Sequence, residues 1–146
     1  MIKADIHIDI FYKDVARALI HLYESFPNKI ILYVDEIAGE DQPDEFGLHS
    51  PRYLAGFSTL IWLAEEGFLR FTDTIKQDAL DQAVLSQSSF FMLSSTANIP
   101  QNETTNALET MTHRRINQLR EALHSGSSFH IEQQILTLFA LTQEGK

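Results

Sequence analysis

The chain has 146 residues, the size of one domain, and 44% of them are hydrophobic, enough for a single packed core. It contains no cysteine, which excludes disulfides, thiolate metal sites and cysteine nucleophiles. Its net charge is −9, with seven Lys/Arg against fifteen Asp/Glu up to Thr96 and four against five from Ala97 onward; this disfavours a duplex-binding surface, which draws most of its affinity from Lys and Arg set against phosphates.

The first ten residues alternate charged and apolar types without a continuous apolar segment, unlike a secretory signal. The longest apolar runs fall far short of the ~20 residues needed to cross a bilayer. A cytoplasmic location is expected. Asp5–Ile10 alternates strictly, which suits either a short strand with its isoleucines inward or the lead-in to a first helix. From Phe11 the period lengthens, and Phe11, Val15, Ala18, Leu19, Leu22 and Phe26 fall on one helical stripe, leaving Lys13, Asp14, Arg17 and Glu24 off it. Pro27-Asn28 ends that helix. Ile30–Val34 is a β-branched apolar run and reads as a short buried strand. The polar segment Asp35–Ser50 follows, with Asp35, Glu36, Glu40, Asp41, Asp44 and Glu45, and with a single helical turn expected between Pro43 and Gly47.

Ser50-Pro51 is a strong helix start, a side-chain cap followed by proline at the first helical position. Leu54, Phe57, Ile61 and Ala64 mark the expected inward stripe, and Gly67 closes the helix in the left-handed conformation glycine accepts cheaply. Phe68–Asp73 reads as a strand, Thr74–Asp78 as a polar loop and Asp81–Leu85 as the returning strand. Ser86 caps a short helix carrying Phe90, Phe91 and Leu93. Ser94–Thr105 is polar, contains Pro100 and reads as a linker. Beyond it, Leu108, Met111, Thr112, Ile116, Leu119 and Leu123 stripe one helix, broken at Ser125-Gly126, and Ile131, Ile135, Leu138 and Phe139 stripe a last helix over about 129–142.

The run Leu60-Ile61-Trp62-Leu63-Ala64-Glu65-Glu66-Gly67-Phe68-Leu69-Arg70-Phe71, followed by Ala83-Val84-Leu85-Ser86, resembles the step from third helix into wing and the exit from the wing in the winged-helix superfamily. The resemblance spans roughly residues 11–93. It implies an α+β fold with a winged-helix-like core (helix, strand, short helix, helix, β-hairpin wing, helix) over residues 1–95, a linker over 96–105 and a C-terminal helical pair over 106–143. That pair is amphipathic and cannot bury its apolar stripes alone, so it packs on the core or at a dimer interface. The resemblance further implies that the helix beginning at Pro51 would face a major groove and that the 74–78 loop would be the wing. Its outward positions would be Arg52, Ala55, Gly56, Thr59 and Leu63, of which Arg52 and Thr59 alone can hydrogen-bond a base edge; the wing offers Lys76 between Asp73 and Asp78. Arg114-Arg115, with Arg120, is the densest positive feature.

The acidic Asp35–Glu45 segment lacks the ligand alternation and fixed glycine of a calcium loop. The six histidines (His7, His21, His49, His113, His124, His130) show no i, i+4 pair of the kind helical zinc sites use; His113 and His124 would stand about 16 Å apart on one helix. No Gly-x-Ser-x-Gly elbow and no glycine-rich phosphate loop is present. The expectation is a non-enzymatic winged-helix module without cofactor or metal, acting through protein–protein contacts, regulatory and self-associating. The alternative is a DNA-binding transcriptional regulator, with Arg52, Thr59, Lys76, Arg114 and Arg115 as contacts in either case. A metal-dependent or hydrolytic enzyme built on the acidic segment is a third, weaker reading.

Overall fold

A computed structural model describes residues 2–97 and 107–144 of the chain. Among these residues the elements are α1 (Ile6–Ser25), β1 (Ile30–Tyr33), α2 (Val34–Ala38), α3 (Pro51–Glu65), β2 (Leu69–Arg70), β3 (Asp73–Ile75), β4 (Ala79–Leu85), α4 (Gln87–Ser94), α5 (Ala107–Thr112), α6 (Arg115–Ser125) and α7 (Ser128–Glu144). The architecture is mixed α+β. No described helix is long and apolar enough to cross a membrane. Most of the stretch read as a linker, from residue 98 onward, lies outside the described residues.

The sheet is antiparallel and built around β4. That strand pairs with β1 on one side (Ile30↔Ala83, Leu32↔Leu80, Tyr33↔Ala79) and with β3 and β2 on the other (Ile75↔Ala79, Leu69↔Leu85). The β1–β4 register shifts between Ile30 and Leu32, and Gln82 takes a positive φ of 53° in the same stretch of β4, consistent with a β-bulge that uses the left-handed region. Leu32, Leu80, Ala83 and Leu85 face a core shared with Val15, Ala18, Leu19 and Leu22 of α1 and Leu60 and Leu63 of α3. Each such leucine contributes about 1.5–3 kcal/mol of burial.

Several expectations change. Of the two readings of Asp5–Ile10 the helical lead-in holds, with α1 beginning at Ile6, because extending the helix costs less than ordering a separate strand. A single helical turn forms at 34–38, earlier than Pro43–Gly47, as α2. The expected strand over 68–73 is split into β2 and β3, and the loop narrows to a turn in which the Asp78 N–H donates to the Ile75 carbonyl at 3.0 Å. The single helix expected after the linker is two, α5 and α6. Between them the Thr96–Arg114 bridge ties the chain leaving α4 to the chain entering α6. Ile116, Leu119, Ala122, Ile131, Ile135 and Leu138 of α6 and α7 belong to the same core cluster as α1 and α3, whereas Leu108 and Met111 of the expected stripe lie exposed on α5.

The largest departure is the rotation of α3. Its buried residues are Tyr53, Gly56, Thr59, Leu60 and Leu63, whereas Leu54, Phe57, Ile61 and Ala64 are half-buried. Gly56 explains the close packing on that face: a Cβ built there would lie 2.7 Å from Ala38 Cβ of α2. Gly→Ala inside a helix ordinarily gains about 1 kcal/mol. Here the clash reverses the sign: Gly56→Ala is expected to lower unfolding free energy by about 1–3 kcal/mol in urea denaturation, and adding Ala38→Gly is expected to recover most of the loss. Stabilisation by Gly56→Ala alone would show that the α2–α3 approach is looser than described.

Candidate functional site

The positions expected to read a nucleic acid lie in three places. Arg52, in the first turn of α3, points back to α1: its Nη2 donates to Asp14 Oδ1 at 2.7 Å and its Nη1 to Asp14 Oδ2 at 2.9 Å. Asp14 is completely buried, although periodicity places it off the inward stripe, and its other cation is Arg17 at 3.6 Å. A buried carboxylate needs such a partner, and the guanidinium fork supplies two parallel bonds. Thr59 is buried too and donates its hydroxyl to the Ala55 carbonyl at 2.9 Å. Gly56 and Leu63 are likewise inward. The outward face of α3 consists instead of Ala55, Ser58 and Glu65, flanked by half-exposed Leu54, Phe57, Ile61 and Trp62. Arg52 is thus engaged by Asp14 with part of its side chain still exposed, and Thr59 lies in the packed face of the helix.

Lys76 stands exposed in the β3–β4 turn with a positive φ of 51°. Arg114 caps α6, and its buried Nε has no hydrogen-bond partner among the described residues. Arg115 donates its backbone N–H to the Ser95 carbonyl at 2.8 Å and its Nε to Ser95 Oγ at 3.2 Å. Arg120 lies over the Tyr23 ring, 5.6 Å from its centre, with Glu24 at 3.7 Å.

The most organised polar cluster of the fold joins the α2–α3 loop to the β3–β4 turn, and it centres on His49. The His49 Nδ1 meets Asp41 Oδ2 at 2.9 Å, and its Nε2 meets Asp78 Oδ1 at 2.8 Å. The ring stacks on Tyr53 with 3.9 Å between centres. The Tyr53 hydroxyl donates to the same Asp78 oxygen at 2.9 Å, and Asp41 also accepts the Ser50 N–H at 3.0 Å. Ser50 caps α3 as its sequence announces, accepting the Tyr53 N–H on Oγ at 3.3 Å.

The hydrogen bond to Asp41 is the largest influence on His49 and raises its pKa; partial desolvation opposes it, and Asp78 adds to the rise through its hydrogen bond and charge. The Ser50 hydroxyl and backbone N–H, followed by His49, hold Asp41 below the ordinary carboxylate value. Burial, then the bond to Asp78, pushes the Tyr53 phenol up. With a carboxylate on each ring nitrogen, His49 sits in a clasp that favours its charged form, and both nitrogens are already engaged within the protein. Among the described residues no group of three or more His, Asp or Glu side chains is placed to hold a metal ion.

The clasp holds a loop whose tip is apolar. Asp44 Oδ1 accepts the backbone N–H groups of Phe46 and Leu48, each at 2.9 Å, and the Leu48 carbonyl accepts the Asp44 N–H at 2.8 Å. This small turn displays Phe46 at 78% exposure and Leu48 at 63%, with Glu40, Asp41, Asp44 and Glu45 in the same loop. Sequence reasoning recognised the loop's carboxylates but missed its apolar tip and its histidine. His49 is eight residues from Asp41 and 29 from Asp78, so no local spacing signals the cluster. No protein-family model matches this chain, and no curated protein or solved structure matches it significantly.

Two outcomes follow from these geometries. Arg52→Ala leaves a fully buried carboxylate without its main partner and is expected to cost about 3–5 kcal/mol. Asp14→Ala is expected to cost about 1.5–3 kcal/mol, because the Arg52 side chain, 36% exposed, can turn to water; denaturant titration of both variants checks the order. For the clasp, the elevated His49 pKa means that its stabilisation is fully present below the ordinary histidine value of about 6.5 and is lost as pH rises through the folded value. The depressed Asp41 pKa means that its share is present above about 3.9 and is lost as pH falls through the folded value. Stability measured against pH is expected to decline as pH rises above about 6.5 in the wild type, and His49→Gln is expected to flatten that decline. An unchanged alkaline slope in the variant would remove His49 from the account.

Proposed function

We propose that the chain is a non-enzymatic winged-helix module that works through protein–protein contacts, using the Phe46–Leu48 tip as its anchor. Support for the winged-helix reading comes from the order helix, strand, short helix, helix, hairpin, helix, and from the placement of the last hairpin strand between the first strand and the rest of the hairpin. The observation that carries the functional reading is the redistribution of charge and apolar surface on the side where a reading helix would meet a duplex. Arg52 is committed to Asp14 and Thr59 is buried, while the neighbouring loop displays Phe46 and Leu48 among carboxylates.

A duplex interface needs Lys and Arg against phosphates and donors toward base edges. This side has Lys76, with Asp73 and Asp78 in the same hairpin. An aromatic and a leucine, held on a rigid turn inside a charged rim, instead match the anatomy of a protein-interface anchor. The acidic rim selects a basic partner segment with apolar residues to cover the tip, and it speeds encounter more than it deepens affinity. A second copy of this chain is included among the partners of this reading, and solution mass measured alongside tests it.

Synthetic peptides of equal leucine content, graded from acidic to basic, provide the test by fluorescence anisotropy. Binding is expected to rise with peptide positive charge, to fall with added salt, and to be lost in Phe46→Ser and Leu48→Ser. Those exposed positions tolerate the change, so circular dichroism is expected to stay unaltered. Basic peptides that bind the Phe46→Ser variant as tightly as the wild type would sink the proposal.

A further inference from the structure

We propose that the cavity between α4, α6 and α7 is a binding site for a small free carboxylate with an apolar body. The cavity measures about 590 Å³, within the range of pockets that take small organic ligands. Phe91, Met92 and Leu141 form its apolar walls, and Ser95, Thr142 and Arg115 bring polar groups to it. It is separate from the Phe46 loop and from the His49 clasp, none of whose residues line it.

Two observations give it a ligand chemistry. The first is Arg115. Arg17, Arg52 and Arg120 each pair with a carboxylate, whereas Arg70, Arg114 and Arg115 have no described carboxylate within ion-pair distance, and of these three Arg115 is the one that lines the cavity. Its Nε donates to Ser95 Oγ at 3.2 Å, which fixes one edge of the guanidinium at the cavity wall. A fixed fork beside an apolar wall suits a carboxylate, which can take two parallel N–H bonds. The second is Phe91, an aromatic side chain 74% exposed on a helix whose neighbours Met92 and Leu93 are buried. Its ring borders the cavity, so an apolar ligand body would remove it from water. The Thr142 hydroxyl is turned to Met92 Sδ at 3.1 Å and the Leu138 carbonyl at 2.9 Å, so its donor is already used within the protein. In a chain of net charge −9, an arginine without an acidic partner among the described residues beside an apolar hollow is a specific invitation to an anion.

The test titrates the full chain with decanoate below its micellar concentration, and with decanol as the uncharged counterpart, by calorimetry and by amide chemical shifts. Saturable decanoate binding is expected, with shifts concentrated at α4, the start of α6 and the end of α7. Arg115→Gln is expected to weaken decanoate at least tenfold while leaving decanol within about twofold, as loss of one charge-assisted pair implies. Ser88→Trp, at an exposed lining position, is expected to block both ligands without disturbing the fold, and it decides the matter should the arginine variant fold poorly. Absence of saturable decanoate binding to the wild type, or binding unchanged in Ser88→Trp, overturns the site.

Discussion

The bond between Asp14 and Arg52 sets the geometry on which the rest of the molecule depends. A carboxylate with no exposed surface sits in the middle of α1, and two guanidinium nitrogens at 2.7 and 2.9 Å balance it from the first turn of α3. The pair fixes the rotation of α3 about its own axis. It turns Tyr53, Gly56, Thr59 and Leu63 inward, brings the Gly56 backbone against Ala38, and sends the polar end of Tyr53 to Asp78. Removing one partner of such a pair costs far more than the pair contributes over apolar residues of the same shape, because the remaining charge is stranded. Geometric specificity is thus its main effect, and under the proposed winged-helix reading it also engages the guanidinium of Arg52 with Asp14.

From that rotation the loop chemistry follows. Tyr53, held by α3, gives His49 a ring to stack upon and shares Asp78 with it. Asp41 completes the clasp from the other side. The loop between α2 and α3 is therefore anchored near both ends, at Asp41 and at His49 and Ser50, and its middle is free to display Phe46 and Leu48. Ordering a loop before binding lowers the entropy lost on association, so a pre-formed tip is the economical way to place apolar anchors on an acidic surface. The proposed docking role and the raised His49 pKa rest on the same three side chains.

Local signals carried much of the fold. Ser50-Pro51 and Ser86 cap α3 and α4 as their types suggest, each hydroxyl accepting an N–H at 3.3 Å, and Gly67 and Gly126 end helices at positive φ. These cues depend on neighbours in sequence, which is why they were legible. The face of α3 was not. Leu54, Phe57, Leu60, Ile61, Trp62, Leu63 and Ala64 surround the helix almost completely, so a 3.6-residue period selects no side. What decided the side was a charge pair spanning 38 residues and a glycine contact with α2, neither of which has a local signature. The split of α5 from α6 has a similar cause: backbone bonds from Ala97 to His113 and from Arg115 to Ser95 interrupt a sequence that is periodic throughout. The candidate site shared that fate, since its histidine finds partners only through the fold.

The central claim is that the proposed reading leaves the face a duplex would meet short of cations, with Arg52 held by Asp14 and Lys76 standing between Asp73 and Asp78. Equilibrium titration of a fluorescent random-sequence duplex with the intact chain across a salt series tests it most directly. The account predicts no saturable binding even at low salt. Saturable binding whose logarithm falls linearly and steeply with the logarithm of salt concentration would contradict it, because that slope counts phosphates neutralised by Lys and Arg, and the account leaves this face too few to neutralise them.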